Sequence, residues 1–103
     1  MSNVKFTPGP WEVQHEEDRD GCHIFWVSTP HESTVAKCFN PDNANFITAA
    51  PDMYEALRHA SQFIENGIAL GYITMPDADS GDSALDTPDI IFKALLKAQG
   101  GES

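Results

Sequence analysis

Apolar and polar residues alternate in the first part of the chain with the period of half-buried strands. Residues 11–15 follow this pattern, and residues 22–27 are apolar on both faces, as is typical of a strand covered on both sides. A third apolar segment, residues 34–39, follows a turn that contains Pro30. Because the connections between these segments are short, they favour an antiparallel β-meander.

A helical spacing replaces the alternation at Asp42, whose carboxylate is expected to cap a short helix with Phe46 and Ile47 on its apolar side. Pro51 ends that helix, since the residue before a proline avoids helical geometry, and it also suits the first position of the next helix. The second helix carries an apolar stripe and is expected to stop at residues 66–67. The stripe consists of Met53, Leu57, Ala60 and Ile64, with Ala56 and Phe63 beside it.

The remaining segments complete the predicted fold. Residues 68–75 are apolar but interrupted, which fits a fourth strand or a packed irregular segment, and residues 76–86 predict a flexible acidic loop. Residues 87–99 have the pattern of a capped amphipathic helix. We therefore predict a single α+β domain over residues 1–103, with a loose N-terminus at residues 1–6. The domain is predicted to contain an antiparallel meander of three strands, or of four if the interrupted segment forms a strand. This sheet packs against a helix-corner-helix pair, and a further helix follows at the C-terminus.

Two motifs resemble those of small tailed-phage and prophage proteins. Residues 7–11 read TPGPW, and residues 43–57 read NANFITAAPDMYEAL, which is similar to an N-A-x-L-I-x-A-A-P-x-L-L-x-A-L segment. Phe46 replaces a leucine, and Met53 and Tyr54 replace a leucine pair, so the apolar face is kept. The resemblance covers roughly the first two thirds of the chain. It implies a viral accessory protein acting in a bacterial cytoplasm, and it implies no activity.

The net charge of the chain limits the kinds of partner that it can bind. The chain has 16 acidic residues against six Lys and Arg, a formal net charge of −10 at pH 7. Each phosphate contact needs a cation, so direct binding of nucleic acid or of an anionic membrane is disfavoured. A basic host protein that binds nucleic acid is a better match for this negative charge. With neither a secretion signal nor a membrane-spanning run in the sequence, we expect the bacterial host cytoplasm, where Cys22 and Cys38 are thiols.

The sequence has no motif that specifies a reaction or a resident cofactor. Asp77 and Asp79 begin like an EF-hand loop, but Pro88 stands where the bidentate glutamate would be. The histidines and cysteines lack the close pairs that nucleate a structural zinc site. A nucleophile elbow, a phosphate-binding glycine loop and an HExxH motif are all missing from the sequence. We therefore expect a protein without enzymatic activity, metal or cofactor.

Three hypotheses follow. The leading one is a non-catalytic phage accessory protein that binds and modulates a host protein as a homo-oligomer, with counter-defence inhibition by acidic mimicry of nucleic acid as one form. The alternative is an oligomeric sponge for a nucleotide signal, and the third is a minimal hydrolase. The candidate acidic interaction surface consists of Glu16, Glu17, Asp18, Asp20, Asp77, Asp79, Asp82 and Asp86. The candidate oligomer face consists of Phe25, Val27, Phe92 and Leu96. The candidate ligand-stacking residues are Trp11, Trp26 and Tyr72.

Overall fold

The structure of the protein is a computed structural model that describes residues 6–31 and 33–100. The expected loose N-terminus lies outside the described residues except for Phe6. The chain divides into two compact units, residues 1–53 and residues 54–103, and each is described by itself. The expectation of a single domain stays a prediction.

A three-stranded antiparallel sheet forms the base of the first unit, in the order β1-β2-β3. The strands are β1 (Glu12–Glu17), β2 (His23–Ser28) and β3 (Thr34–Cys38). Val27, near the end of the central strand β2, pairs with Val13 on one side and Ala36 on the other, and an irregularity follows between Val27 and Ser28. This sheet and the helices below confirm the α+β prediction. The described residues contain no fourth strand, because the segment expected to supply one holds the end of a helix and an irregular turn.

Two helices follow the sheet, α1 (Pro41–Thr48) and α2 (Ala50–Ala69), with Ala49 alone between them. The helix break predicted at Ala50–Pro51 is present one residue earlier, at Ala49, and Ala50 itself is helical. The cap of α1 differs from the prediction, because the side chain of Asn40, not that of Asp42, accepts hydrogen bonds from the free amides of the first helical turn. Its Oδ1 atom lies 2.7 Å from the amide nitrogen of Asp42 and 3.2 Å from that of Asn43. Asn40 holds an extended backbone and Pro41 takes the first helical position, where its missing N–H costs nothing.

The core of the first unit lies between α1 and the sheet. Val27, Cys38 and Ala44 are its buried members. The partly buried residues around them are Trp11, Val13, Phe25, Val35, Ala36 and Ile47. Helix α1 thus turns Ala44 and Ile47 toward the strands, three residues apart on one face. The expectation that Phe46 belongs to this face is wrong, since its side chain is 69% exposed.

The two motif segments of the resemblance meet in the first unit. Gly9 lies so close to Pro51 that an added Cβ atom would be 2.8 Å from the proline Cβ. The indole Nε1 of Trp11 donates to the carbonyl oxygen of Thr7 at 3.1 Å, and the Phe6 ring packs edge-on at 6.4 Å. The TPGPW segment therefore forms a tight turn that places the Trp11 ring against the core and Gly9 against the helix corner.

In the second unit, α2 continues beyond Tyr54 and is followed by a short 3₁₀ helix (Ser83–Asp86) and α3 (Thr87–Ala98). The Tyr54 hydroxyl accepts a hydrogen bond from Gln99 Nε2, which joins the beginning of this part of α2 to the end of α3. Farther along α2, Ile64 faces Ile91 across a groove, so the two helices run antiparallel. The buried residue at this point of α2 is Tyr54 rather than Met53.

Helix α2 extends past its predicted stop to Ala69, and the chain then folds back over its end. The carbonyl oxygen of Gly67 accepts hydrogen bonds from the amides of Tyr72 at 2.8 Å and Ile73 at 2.9 Å. Gly71 makes this reversal possible with a φ of 84°, a conformation that costs glycine little. The Ile73 side chain covers Gly67, which is buried.

Candidate functional site

The β1–β2 hairpin carries the first group of predicted acidic residues, and one of them builds its loop. Asp18 Oδ1 accepts hydrogen bonds from the amides of Asp20 and Cys22, each at 2.9 Å. The Asp18 backbone also bonds to Cys22 and Gly21, and Gly21 takes a φ of 81° that closes the turn. Asp18 is therefore a structural residue whose carboxylate is held at the tip of the hairpin.

One neighbouring carboxylate is held by a hydrogen bond, and a second lies near a histidine. Glu16 Oε1 accepts a hydrogen bond from the indole nitrogen of Trp26 at 2.7 Å, and Glu17 Oε1 lies 3.8 Å from Nε2 of His23. Asp20 is exposed beside them, and Arg19 is the loop's one cation. This end of the sheet, which we call the acidic hairpin (residues 16–20), presents four carboxylates, and hydrogen bonds hold those of Glu16 and Asp18 in place.

The second group of acidic residues belongs to the second unit. Asp77, Asp79, Asp82 and Asp86 are all exposed. Asp82 has a local role, because its Oδ1 caps the 3₁₀ helix by accepting from the Ala84 amide at 2.9 Å. The two acidic groups are thus defined separately, each on its own unit.

Two of the three predicted stacking residues, Trp11 and Trp26, lie on opposite faces of the sheet. Trp11 packs against the core cluster that contains Val27. Trp26 is next to Val27 in β2, so it faces the opposite side of the sheet. Tyr72 belongs to the other unit, where it is 85% exposed.

One residue of the predicted oligomer face is misplaced. Val27 is completely buried in the core, so it cannot contact another chain while the first unit is folded. Phe25 on the same face is partly covered and lies against His15, with ring centroids 4.8 Å apart. Phe92 is 60% exposed on α3, and Leu96 is half-buried one turn later. These three stay candidates for contact with a partner.

The structure pairs two histidines that the sequence did not single out as a pair. His15 Nε2 and His23 Nδ1 are 2.8 Å apart, and the rings lie edge to edge with centroids 5.0 Å apart and planes inclined by 26°. The strand register creates this contact, because His15 pairs with Phe25 and His23 is two residues before Phe25. One imidazole donates its N–H to the other's free nitrogen. Within residues 6–31 and 33–100, no three His, Cys, Asp or Glu side chains are grouped to hold a metal ion.

A second feature missed from the sequence is a groove of about 530 Å³ between the end of β3 and α1. It is lined by Lys37, Cys38, Phe39, Asn40, Asn43, Phe46 and Ile47. The Lys37 ammonium lies 5.4 Å from the Trp26 ring centroid and 5.3 Å from that of Phe39, within range of a cation–π attraction. One sequence pattern could have predicted part of this groove, because Lys37 and Phe39 are two residues apart in an extended segment and therefore share a face.

Comparison with known proteins gives one finding. A family model described as Salmonella phage P22 protein Y8K6 matches residues 1–102. The searches of curated proteins and of solved structures give no match. None of the helices among the described residues is long and apolar enough to cross a membrane. The match spans nearly the whole chain and agrees with the phage origin that the two sequence motifs imply. The chain therefore belongs to the phage protein family of Salmonella phage P22 protein Y8K6.

Proposed function

We propose that this phage protein is a non-catalytic accessory protein that binds a host protein with its acidic hairpin. The observation that carries the proposal is the cluster of four carboxylates, Glu16, Glu17, Asp18 and Asp20, at one end of the sheet. Hydrogen bonds from the backbone and from Trp26 hold two of these carboxylates in place. Carboxylates that are already held in place before binding lose less conformational entropy on binding than carboxylates on mobile side chains.

The chemistry of the hairpin selects a basic partner. Carboxylates attract Arg and Lys side chains, and a cleft that normally binds nucleic acid presents many of them. The rest of the molecule reinforces the preference, because Arg58 and Lys93 are neutralised locally. Their nitrogens lie 2.9 Å from Glu55 and 3.0 Å from Asp89, respectively. The host target is thus proposed to be a nucleic-acid-binding protein whose cleft the hairpin occupies.

Affinity capture from host lysate tests this proposal when it is done with matched variants. Glu17→Gln with Asp20→Asn removes two charges from the hairpin and spares the hydrogen bonds made by Glu16 and Asp18. Glu12→Gln with Asp42→Asn removes two charges elsewhere in the same unit and serves as the control. We expect the wild type and the control to capture the same basic protein and the hairpin variant to lose it. Equal capture by all three proteins would place the binding surface elsewhere and contradict the proposal.

A second candidate function, capture of a small anionic ligand such as a nucleotide, is favoured by the groove beside Lys37. Its volume of about 530 Å³ suits a small molecule, and it combines a cation, two amide side chains and two exposed aromatic rings. Lys37 is the single charged residue in its lining, which limits its attraction for a polyanion.

A thermal-shift screen against nucleotides tests the groove directly. A ligand at a hundred times its dissociation constant adds about 2.7 kcal/mol to the free energy of unfolding. We would expect that stabilisation to disappear in Lys37→Met, which keeps most of the side chain's apolar length and removes its charge. A shift that survives in Lys37→Met would assign the ligand to another site.

A further inference from the structure

The paired histidines of the β1–β2 hairpin bring two metal-binding nitrogens together. His15 Nε2 and His23 Nδ1 are 2.8 Å apart, and both residues are exposed. An imidazole nitrogen binds a transition-metal ion through the same lone pair that accepts a hydrogen bond. A metal ion can therefore take the place of this hydrogen bond once the donor ring carries its proton on its other nitrogen.

Glu17 favours the tautomer of His23 that such a site needs. It is directly opposite His23 in the pairing of β1 with β2, and its Oε1 lies 3.8 Å from His23 Nε2. A carboxylate on that side of the ring attracts the N–H to Nε2 and leaves the Nδ1 lone pair to bind an ion. Histidines that bind metal ions usually donate their second nitrogen in this way, which orients the ring and makes the first nitrogen a stronger ligand.

The separation of the two nitrogens fits one coordination geometry better than another. At metal–nitrogen distances of about 2.0–2.1 Å, two ligands at a right angle have their nitrogens about 2.9 Å apart, whereas two ligands of a tetrahedral ion have theirs about 3.3–3.4 Å apart. The observed 2.8 Å is close to the first value. Right-angled ligands are typical of square-planar or octahedral Cu²⁺ and Ni²⁺, and tetrahedral ligands are typical of Zn²⁺.

The surroundings of the two rings allow both to be directed at one ion. The His15 ring stacks on the Phe25 ring, with centroids 4.8 Å apart and planes inclined by 9°, so its position is restrained. The His23 side chain is 54% exposed and has room to turn its Nδ1 lone pair toward an ion beside His15. Because one ring is already restrained, the pair loses less conformational entropy on binding than two mobile rings would lose.

We propose that His15 and His23 together bind a single Ni²⁺ or Cu²⁺ ion on the face of the β1–β2 hairpin. The two imidazoles fill adjacent coordination positions and water fills the others, because the part of the chain that the structure describes holds no group of three His, Cys, Asp or Glu side chains around an ion. The sequence gave no sign of this pair, since strand register alone brings the two histidines together. The site is independent of the proposed host partner, because neither histidine belongs to the acidic hairpin.

Isothermal titration calorimetry of the untagged full chain with NiCl₂ tests the site. Nickel is the better probe, because Cu²⁺ would oxidise the exposed thiol of Cys22. We expect one Ni²⁺ ion per chain. Glu17→Gln, which removes only the partner of His23 Nε2, should weaken binding about tenfold. His15→Gln and His23→Gln each remove a ligand and should weaken binding further than Glu17→Gln does.

Three matched variants control for binding elsewhere on the chain. His31→Gln and His59→Gln each remove an exposed histidine outside the pair, and Cys22→Ser removes the exposed thiol next to His23. All three should bind Ni²⁺ as the wild type does. A thermal melt supplies a second readout, because an ion that links β1 to β2 in the folded chain raises its melting temperature. Ni²⁺ should raise the melting temperature of the wild type and leave that of His15→Gln unchanged.

Far-UV circular dichroism establishes that each variant is folded before its affinity is interpreted. A wild type that does not bind Ni²⁺ would overturn the proposal, as would His15→Gln and His23→Gln variants that bind it unchanged. Loss of binding in Cys22→Ser would assign the ion to the thiol and overturn the proposal as well. The same titration with ZnCl₂ tests the geometry, and tighter binding of Zn²⁺ than of Ni²⁺ would contradict the right-angled arrangement of the two nitrogens.

Discussion

Replacement of Gly67 by alanine is expected to destabilise the second unit, although alanine is the better helix former. An added Cβ atom would lie 2.4 Å from Cδ1 and 2.6 Å from Cγ1 of Ile73. These distances are far inside the 3.5–4.0 Å at which carbon atoms attract each other. Ile73 would have to move, and its backbone amide is bonded to the Gly67 carbonyl oxygen at 2.9 Å.

The sign of the effect follows from two opposing magnitudes. Glycine to alanine in a helix interior stabilises by at most about 1 kcal/mol, and Gly67 is near the end of α2, where the gain is smaller. Overpacking in a well-fitted contact costs about 1–3 kcal/mol. We therefore expect Gly67→Ala to lower the free energy of unfolding by about 1–2 kcal/mol.

Urea unfolding followed by far-UV circular dichroism measures this effect in a double-mutant cycle with Ile73→Ala. Once the isoleucine is shortened the clash disappears, and Gly67→Ala should then raise the free energy of unfolding instead of lowering it. The reversal of sign is the specific expectation, and Asn66→Ala on the adjacent exposed position serves as the control. Stabilisation by Gly67→Ala in the wild-type background, or an equal effect in both backgrounds, would refute the assignment of this contact.

Two further predictions concern the first unit. Asn40→Ala should lower its free energy of unfolding by about 1 kcal/mol, because the amides of Asp42 and Asn43 lose their acceptor, whereas Asn40→Asp should restore it; urea unfolding checks both. A thiol reagent should label Cys22 rapidly and Cys38 only after unfolding, since the first is exposed and the second is 7% exposed in the core; two fast thiols in the native protein would contradict the packing of β3.

Sequence periodicity located the three strands and the three α-helices, but not the 3₁₀ helix Ser83–Asp86, which lies in the segment predicted as a flexible loop. The strand segments, the corner before Pro51 and the C-terminal helix all depend on local spacing, which the sequence displays directly. The cap of α1 was missed because Asn40 precedes a proline and looks like a loop residue. In the structure the proline opens the helix, and the asparagine is the residue that caps it.

Contacts that depend on register or on tertiary packing could not be read from the sequence. The His15–His23 pair needs the alignment of β1 with β2, which no local pattern specifies. Phe46 has the spacing of a core residue, yet the small Ala44 takes the position against the sheet and Phe46 faces out. The candidate acidic residues were identifiable from composition, but their fixation by Trp26 and by backbone amides was not.

The central claim, that the acidic hairpin takes the place of nucleic acid on a host protein, is tested most directly by competition. Labelled duplex DNA is bound to the captured host protein, and its fluorescence anisotropy is followed as the phage protein is added. The account predicts that the wild type and the Glu12→Gln, Asp42→Asn control release the DNA and that Glu17→Gln with Asp20→Asn does not. If the wild-type phage protein binds the host protein while the anisotropy of the DNA stays unchanged, the DNA and the phage protein occupy different sites. That result would contradict the claim.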